Sequence, residues 1–189
     1  KMPAQFQRPK NLPDEIPIYH TVPRDNNADL LLKVTALESK ETAVFPVFKE
    51  DMVEYLPNYF GMIFDKNKGY EFEENRLQKG DYFEIGIPKL KELKNFGTYL
   101  SNFVYSKVFS SNQESPNFDV KSWCEFYWIA NYFWETEMVT RTLKILKRNF
   151  TALCLFGHID QIFAVLSIND AECIKTLLNL SENDEDTAI

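Results

Sequence analysis

Glycine and histidine are scarce in this chain: six and two, respectively, among 189 residues. Neither Gly-x-Gly-x-x-Gly nor Gly-x-x-x-x-Gly-Lys occurs, which removes the loops that cradle phosphates with backbone N–H groups. The histidines, His20 and His158, stand alone. One lies in a proline-rich stretch and the other follows Gly157, so neither is paired with a nucleophile or a second metal ligand. The three cysteines, Cys124, Cys154 and Cys173, form no Cys-x-x-Cys pair, which argues against a structural zinc site. Their odd number and wide spacing argue against a disulfide framework and fit a reducing compartment, cytoplasmic or nuclear. No run of eighteen apolar residues is present to span a membrane. The start, KMPAQFQRPK, lacks the apolar centre of a secretory signal. Positive charge is also short. A net charge of -7 and a pI near 5.0 have the wrong sign for a dedicated nucleic-acid binder. The two basic clusters, Lys89/Lys91/Lys94 and Lys144/Lys147/Arg148, have the spacing of solvent-facing helix surfaces. The acidic pairs Glu50/Asp51 and Glu73/Glu74 read as solvated charge rather than acid–base machinery. These absences point away from an enzyme and from any cofactor or metal.

What the chain does have is apolar and aromatic mass: 44% hydrophobic and 15% aromatic residues, enough for one sizeable core. All three tryptophans fall between Trp123 and Phe150. There Trp123, Phe126, Tyr127, Ala130 and Phe133 form one helical stripe, and Val139, Leu143, Leu146 and Phe150 form another. Between the two lies a break at Glu135-Thr136. Thr136 suits the N-cap of the second helix, with Glu137 early and Lys144, Lys147 and Arg148 late, as the helix dipole favours. This stretch is expected to be a buried helical hairpin, with the Phe133-Trp134 corner as its outward edge.

Upstream, prolines at 3, 9, 13, 17 and 23 forbid a helix of useful length over residues 1–28. That arm reads as extended, with Ile16, Ile18 and Val22 at the even spacing of a piece lying on a sheet edge. DLLLKV (Asp29 to Val34) suits a strand buried on both faces. AVFPV (Ala43 to Val47) suits its hairpin partner across Glu38–Glu41. A helix is predicted from Lys49 to Leu56, then a second from Tyr59 to Phe64 capped by Asn58. Residues 65–80 are a charged loop, and YFEIGI (Tyr82 to Ile87) is a third strand ended by Pro88. A helical stripe runs from Phe96 to Val108, and a polar linker precedes the aromatic hairpin. Shorter helices are predicted for His158 to Leu166 and Asp170 to Leu180, before an acidic tail over 181–189. Strands interleaved with helices and then helices alone indicate an α+β, mixed α/β domain.

Six of these pieces, in this order, resemble the BTB/POZ domain family over residues 29–150. DLLLKV is similar to the family's first strand, and FPVFK (Phe45 to Lys49) to F-x-x-H-[KR], with Phe48 in place of the histidine. PNYFGMIF (Pro57 to Phe64) is similar to S-x-Y-F-x-x-M-F, with Pro57 in place of the serine. YFEIGIP, FGTYLSNFVYSKVF and WIANYFWETEMVTRTLKILKRNF are similar to the third strand, the following helix and the closing helical pair. Residues 151–180 resemble the start of the BACK or 3-box helical extension found in cullin-3 adaptors. The 65–80 loop is longer than the family pattern. The proline-rich arm cannot readily supply the N-terminal helix that many family homodimers use.

The resemblance implies a small sheet covered by helices and a non-catalytic role in protein recognition, as an adaptor linking a client to a cullin-3 ubiquitin ligase. It implies a partner surface at Tyr70, Phe72 and Glu74 in the 65–80 loop, bordered by Tyr59, Tyr132 and Trp134. Phe72 would be the apolar anchor and Glu74 the acidic neighbour. It also matches Asp29 and Lys49 to charged positions at the family's dimer seam. Two alternatives stay open: a homotypic or heterotypic assembly scaffold with no ubiquitin role, and a monomeric single-domain adaptor of the elongin C type.

Overall fold

Strand β1 (Leu30–Ala36) is the axis of the sheet in the computed structural model, which describes residues 8, 12–20, 28–64, 82–105, 118–148 and 165. It pairs antiparallel with β2 (Thr42–Val47), Leu30 opposite Val47 and Thr35 opposite Thr42. On its other side it pairs parallel with β3 (Phe83–Ile87), Leu32 opposite Phe83 and Ala36 opposite Ile87. The order β2-β1-β3 makes this a small mixed sheet. Its helices make the fold α+β.

The sequence suggests that β1 is buried on both faces, but the strand alternates. Leu30, Leu32, Val34 and Ala36 are buried, whereas Leu31, Lys33 and Thr35 are half-buried. The second face is partly polar because its cross-strand partners are polar. Lys33 Nζ sits 2.7 Å from Glu84 Oε1 on β3 and over the ring of Tyr82, and the Thr35 and Thr42 hydroxyls lie 3.1 Å apart across β1 and β2. Such opposite pairs stabilise a sheet modestly. Pro46, which has no N–H to give, is tolerated because β2 is one of the two outer strands.

The arm does lie on that outer edge. Ile18 bridges Val44 in parallel, Tyr19 N donates to Val44 O (2.9 Å) and Val44 N donates to Pro17 O (2.9 Å). Leu12 is buried, and Arg8 donates to the carbonyls of Pro13 and Ile16. Val22 lies outside the described residues.

Helix α1 (Lys49–Tyr55) follows β2 directly. Next, α2 starts at Pro57, where the missing N–H costs nothing. It runs as a π-helical turn over Pro57–Gly61 and then as an α-helical turn over Met62–Phe64. It therefore begins ahead of Asn58, which lies within it and does not cap it. Helix α3 runs over Leu93–Tyr99, three residues earlier than the apolar stripe suggests, and continues with π geometry over Leu100–Tyr105.

The aromatic stretch forms the expected hairpin. Helix α4 (Val120–Tyr132) is capped by Asp119, whose Oδ1 accepts from Ser122 N at 2.7 Å. That bond holds the Asp119 carboxyl below the usual range. Helix α5 (Thr136–Arg148) starts at Thr136 itself, one residue before a Thr136 cap would place it. Trp123, Phe126, Tyr127, Ala130 and Phe133 are all buried, as is Leu146; Val139 and Leu143 are half-buried. The core they join includes Phe45, Phe60, Phe96 and Met52. Of residues 151–180 only Val165 is described, helical and buried. The rest of that segment, Phe150, the 65–80 loop and the 181–189 tail lie outside the described residues. No helix among the described residues is long and apolar enough to cross a membrane.

Candidate functional site

The turn between α4 and α5 is closed by a pair of backbone bonds. Glu135 N donates to Ala130 O (2.9 Å) and Trp134 N donates to Asn131 O (3.2 Å), which together satisfy two carbonyls at the end of α4. This is the Schellman arrangement, and it demands a left-handed residue at the position Trp134 occupies. Trp134 has φ 58°. Glycine ordinarily fills that slot, because a Cβ there costs roughly 1–2 kcal/mol. A tryptophan in it, 56% exposed, is the most prominent apolar feature of the described surface.

Several contacts hold the corner in place. Asn58 Nδ2 reaches from α2 to donate to Trp134 O (3.0 Å). The same amide bonds the Glu135 carboxyl and draws its pKa down, against burial, which pushes it up more strongly. Tyr59, next along α2, is the ring at the centre. Its hydroxyl lies 3.2 Å from that of Tyr132, and its ring centroid is 5.3 Å from Tyr132, 5.3 Å from Phe133 and 6.1 Å from Trp134. Tyr59, Tyr132 and Trp134, which the sequence places only as neighbours of a partner surface, thus form one aromatic corner. Tyr59 and Tyr132 are half-buried and Trp134 is exposed. Phe133 is different: it has no exposed surface, so the outward edge expected of the Phe133-Trp134 pair is Trp134 alone. The turn points successive side chains to opposite sides. Tyr70, Phe72 and Glu74 lie outside the described residues.

The two residues matched to a dimer seam meet within one chain. Asp29 Oδ1 accepts from Lys49 N at 2.7 Å and so caps α1 from twenty positions upstream. The cap position itself holds Phe48, whose side chain makes no capping bond. Lys49 Nζ lies 4.5 Å above the centre of the Phe64 ring. Burial and the charges of Glu54, Glu50 and Asp29 push the Asp51 carboxyl up. Asp29→Ala should therefore cost about 1 kcal/mol of stability, the usual value of a lost cap. The check is a urea titration at two protein concentrations. A loss that appears only at the higher concentration would assign Asp29 to a contact between copies instead.

A second polar cluster was not singled out from the sequence. Glu125 is 3% exposed in α4; its Oε2 accepts from Asn95 Nδ2 (2.9 Å) and Glu92 N (3.2 Å), and Ser122 Oγ donates to Asn95 Oδ1 (3.2 Å). Glu92 in turn is bonded by Lys121 and Lys94. This cluster ties α4 to the start of α3. Its signal was available, because Glu125 is the only charged residue in WCEFYWIA, a segment otherwise apolar all round. Burial pushes the Cys124 thiol beside it up to about 12, so it behaves as an inert core group. Among the described residues, no three His, Cys, Asp or Glu side chains are grouped to hold a metal ion. Compared with known proteins, the chain matches no family model, no curated protein and no solved structure.

Proposed function

We propose that this chain is a BTB/POZ-type adaptor of the cytoplasm or nucleus. In this reading it works by protein recognition rather than catalysis and uses the corner at Tyr59, Tyr132 and Trp134 as part of its docking surface. The observation that carries the reading is Trp134: a large indole, held outward in a strained backbone slot and braced from α2 by Asn58. Strain retained at an exposed aromatic points to use of that side chain, and tryptophan is among the residues that dominate protein interfaces when desolvated. The element order supports the family. A β1–β2 hairpin, two short helices, a strand parallel to β1, a helix and a closing helical pair follow one another as the resemblance implies. The partner that the resemblance names is the N-terminal region of cullin-3. A single-chain adaptor is favoured over a seam-sharing dimer, because Asp29 is engaged by its own α1 and the arm lies extended on its own sheet.

The test is calorimetric titration of the 189-residue chain with the cullin-3 N-terminal region, with light scattering for its mass. The expected result is a monomer that binds, weakened at least tenfold (about 1.4 kcal/mol) by Trp134→Ala and comparably by Phe72→Ala or Glu74→Ala. Binding undiminished by Trp134→Ala rejects the corner. No binding at tens of micromolar rejects the cullin role and leaves assembly of copies, which light scattering would register.

A further inference from the structure

A cleft of about 310 Å³ opens on the side of the domain where the arm meets α3. That volume is at the lower end of the range for small-molecule sites. One wall is aromatic: Tyr19 stacks on Phe45, ring centroids 5.5 Å apart and planes 24° off parallel, and Tyr19 remains 42% exposed while Phe45 has no exposed surface. The other wall is a stripe of α3 at steps of four and three, formed by Lys94, Thr98, Ser101 and Asn102. His20 stands at the arm's end of the opening.

The charge of this lining is unusual for the chain. In a protein of net charge -7, no acidic residue lines the cleft among the described residues, and a lysine does. Lys94 shares its partner Glu92 (2.7 Å) with Lys121, and the charge of Asp119 acts on it as well. The stripe is also held in shape. Thr98 Oγ1 donates to Lys94 O and Asn102 Nδ2 donates to Thr98 O, both at 2.9 Å, so these side chains are fixed along the helix before anything binds. A preorganised wall loses less entropy on binding than a mobile one.

We propose that the cleft between Tyr19 and the polar stripe of α3 binds a small ligand carrying a planar ring and an anionic group. The ring lies against Tyr19, which Phe45 backs from the core, and the anion sits at the Lys94 end. Because Tyr19 and His20 belong to the arm, the cleft exists only while the arm is seated on β2, and occupation holds it there. This site is independent of the Trp134 corner.

The probe is phenyl phosphate, followed by amide chemical-shift titration of the full chain, with inorganic phosphate and phenol as separate arms. The expected result is a saturable shift at Thr98 and Ser101 with a Kd on the order of 1 mM. Each half-probe should bind at least tenfold more weakly. Lys94→Gln, at an exposed position, should weaken phenyl phosphate at least tenfold, and Thr98→Phe should block it by filling the cleft. The amide spectrum of each variant reports that it is folded. The proposal is overturned if no saturable shift occurs, if the shifts map to Lys144 and Lys147 instead, or if neither variant changes the affinity. Equal affinity for inorganic phosphate would also overturn it, by making the ring irrelevant.

Discussion

Phe133→Ala should destabilise the domain by about 3–5 kcal/mol, the cost of emptying a phenylalanine site that cannot collapse. The ring has no exposed surface, and four aromatic neighbours surround it: Tyr59 at 5.3 Å, Tyr132 at 5.4 Å, Phe60 at 5.5 Å and Phe96 at 6.2 Å between centroids. These neighbours come from α2, α3 and α4 and are themselves fixed by further contacts. Phe60 packs on Phe64 and Phe83, and Phe96 packs on Phe45 of β2. No single element can shift inward to fill the space without opening another contact. The adjacent change, Trp134→Ala, removes a larger side chain from a mostly exposed position and should cost under about 1 kcal/mol. Urea midpoints of the two variants make the comparison. A Phe133→Ala loss no greater than that of Trp134→Ala would mean that the hairpin does not close over the sheet as described.

The second large effect concerns pH. Glu125 is buried, and its desolvation pushes the carboxyl above the usual glutamate value, against the opposing bonds from Asn95 and Glu92 N. A folded-state pKa above the unfolded one means that folding favours the protonated acid. The contribution to stability is complete below the unfolded value, near 4.3, and is lost as pH rises through the folded one. Glutamine keeps an acceptor for Asn95 and Glu92 N and carries no charge. Glu125→Gln should therefore match the parent near pH 4 and exceed it by about 1–3 kcal/mol near pH 7, the scale of an incompletely satisfied buried polar or charged group. Asp119 and Glu92 are shifted downward by their hydrogen bonds and tilt the curve the other way, stabilising above their unfolded values. Both are present in each protein, so the difference between the curves reports residue 125 together with its coupling to the neighbouring Glu92. A gap that is the same at both pH values, or that favours glutamate near neutrality, would remove the buried carboxylate from the account.

Much of the fold could be read from the chain because its main signals are periodic. The short apolar runs DLLLKV and AVFPV and the stripes of the aromatic hairpin each depend on residues a few positions apart, and each became an element of the expected type, although β1 alternates where its run suggests burial on both faces. Features that escaped the reading depend on distant residues. Asp29 caps α1 across twenty positions, a bond that no local capping rule looks for. Asn58 resembles a helix cap by type and position, yet its amide is drawn across to Trp134 O by the packing of α2 against the turn. The left-handed residue was hidden for a chemical reason. Glycine is the usual mark of such a helix ending, and the sequence there has Trp134. Without that mark, Phe133 and Trp134 look like one aromatic pair, whereas the turn sends one ring inward and leaves the other outside. The cleft beside α3 was equally hidden, since it takes shape only where Tyr19 of the arm comes against a helix more than seventy positions later.

The seating of the arm on β2 also bears on the open edge of the sheet. An outer strand with open N–H and C=O groups is a template on which strands of other molecules can add, the first step towards aggregation. Here part of that edge, at Val44, is occupied by a piece of the same chain. The pairing is one isolated bridge, Ile18 with Val44: Pro17 faces β2 through its carbonyl and has no N–H with which to extend the ladder. Pro46, within β2, interrupts the same ladder from beneath. Prolines that would weaken a central strand thus stand at the margin of this sheet, on β2 and on the arm that meets it, where they keep the ladder short.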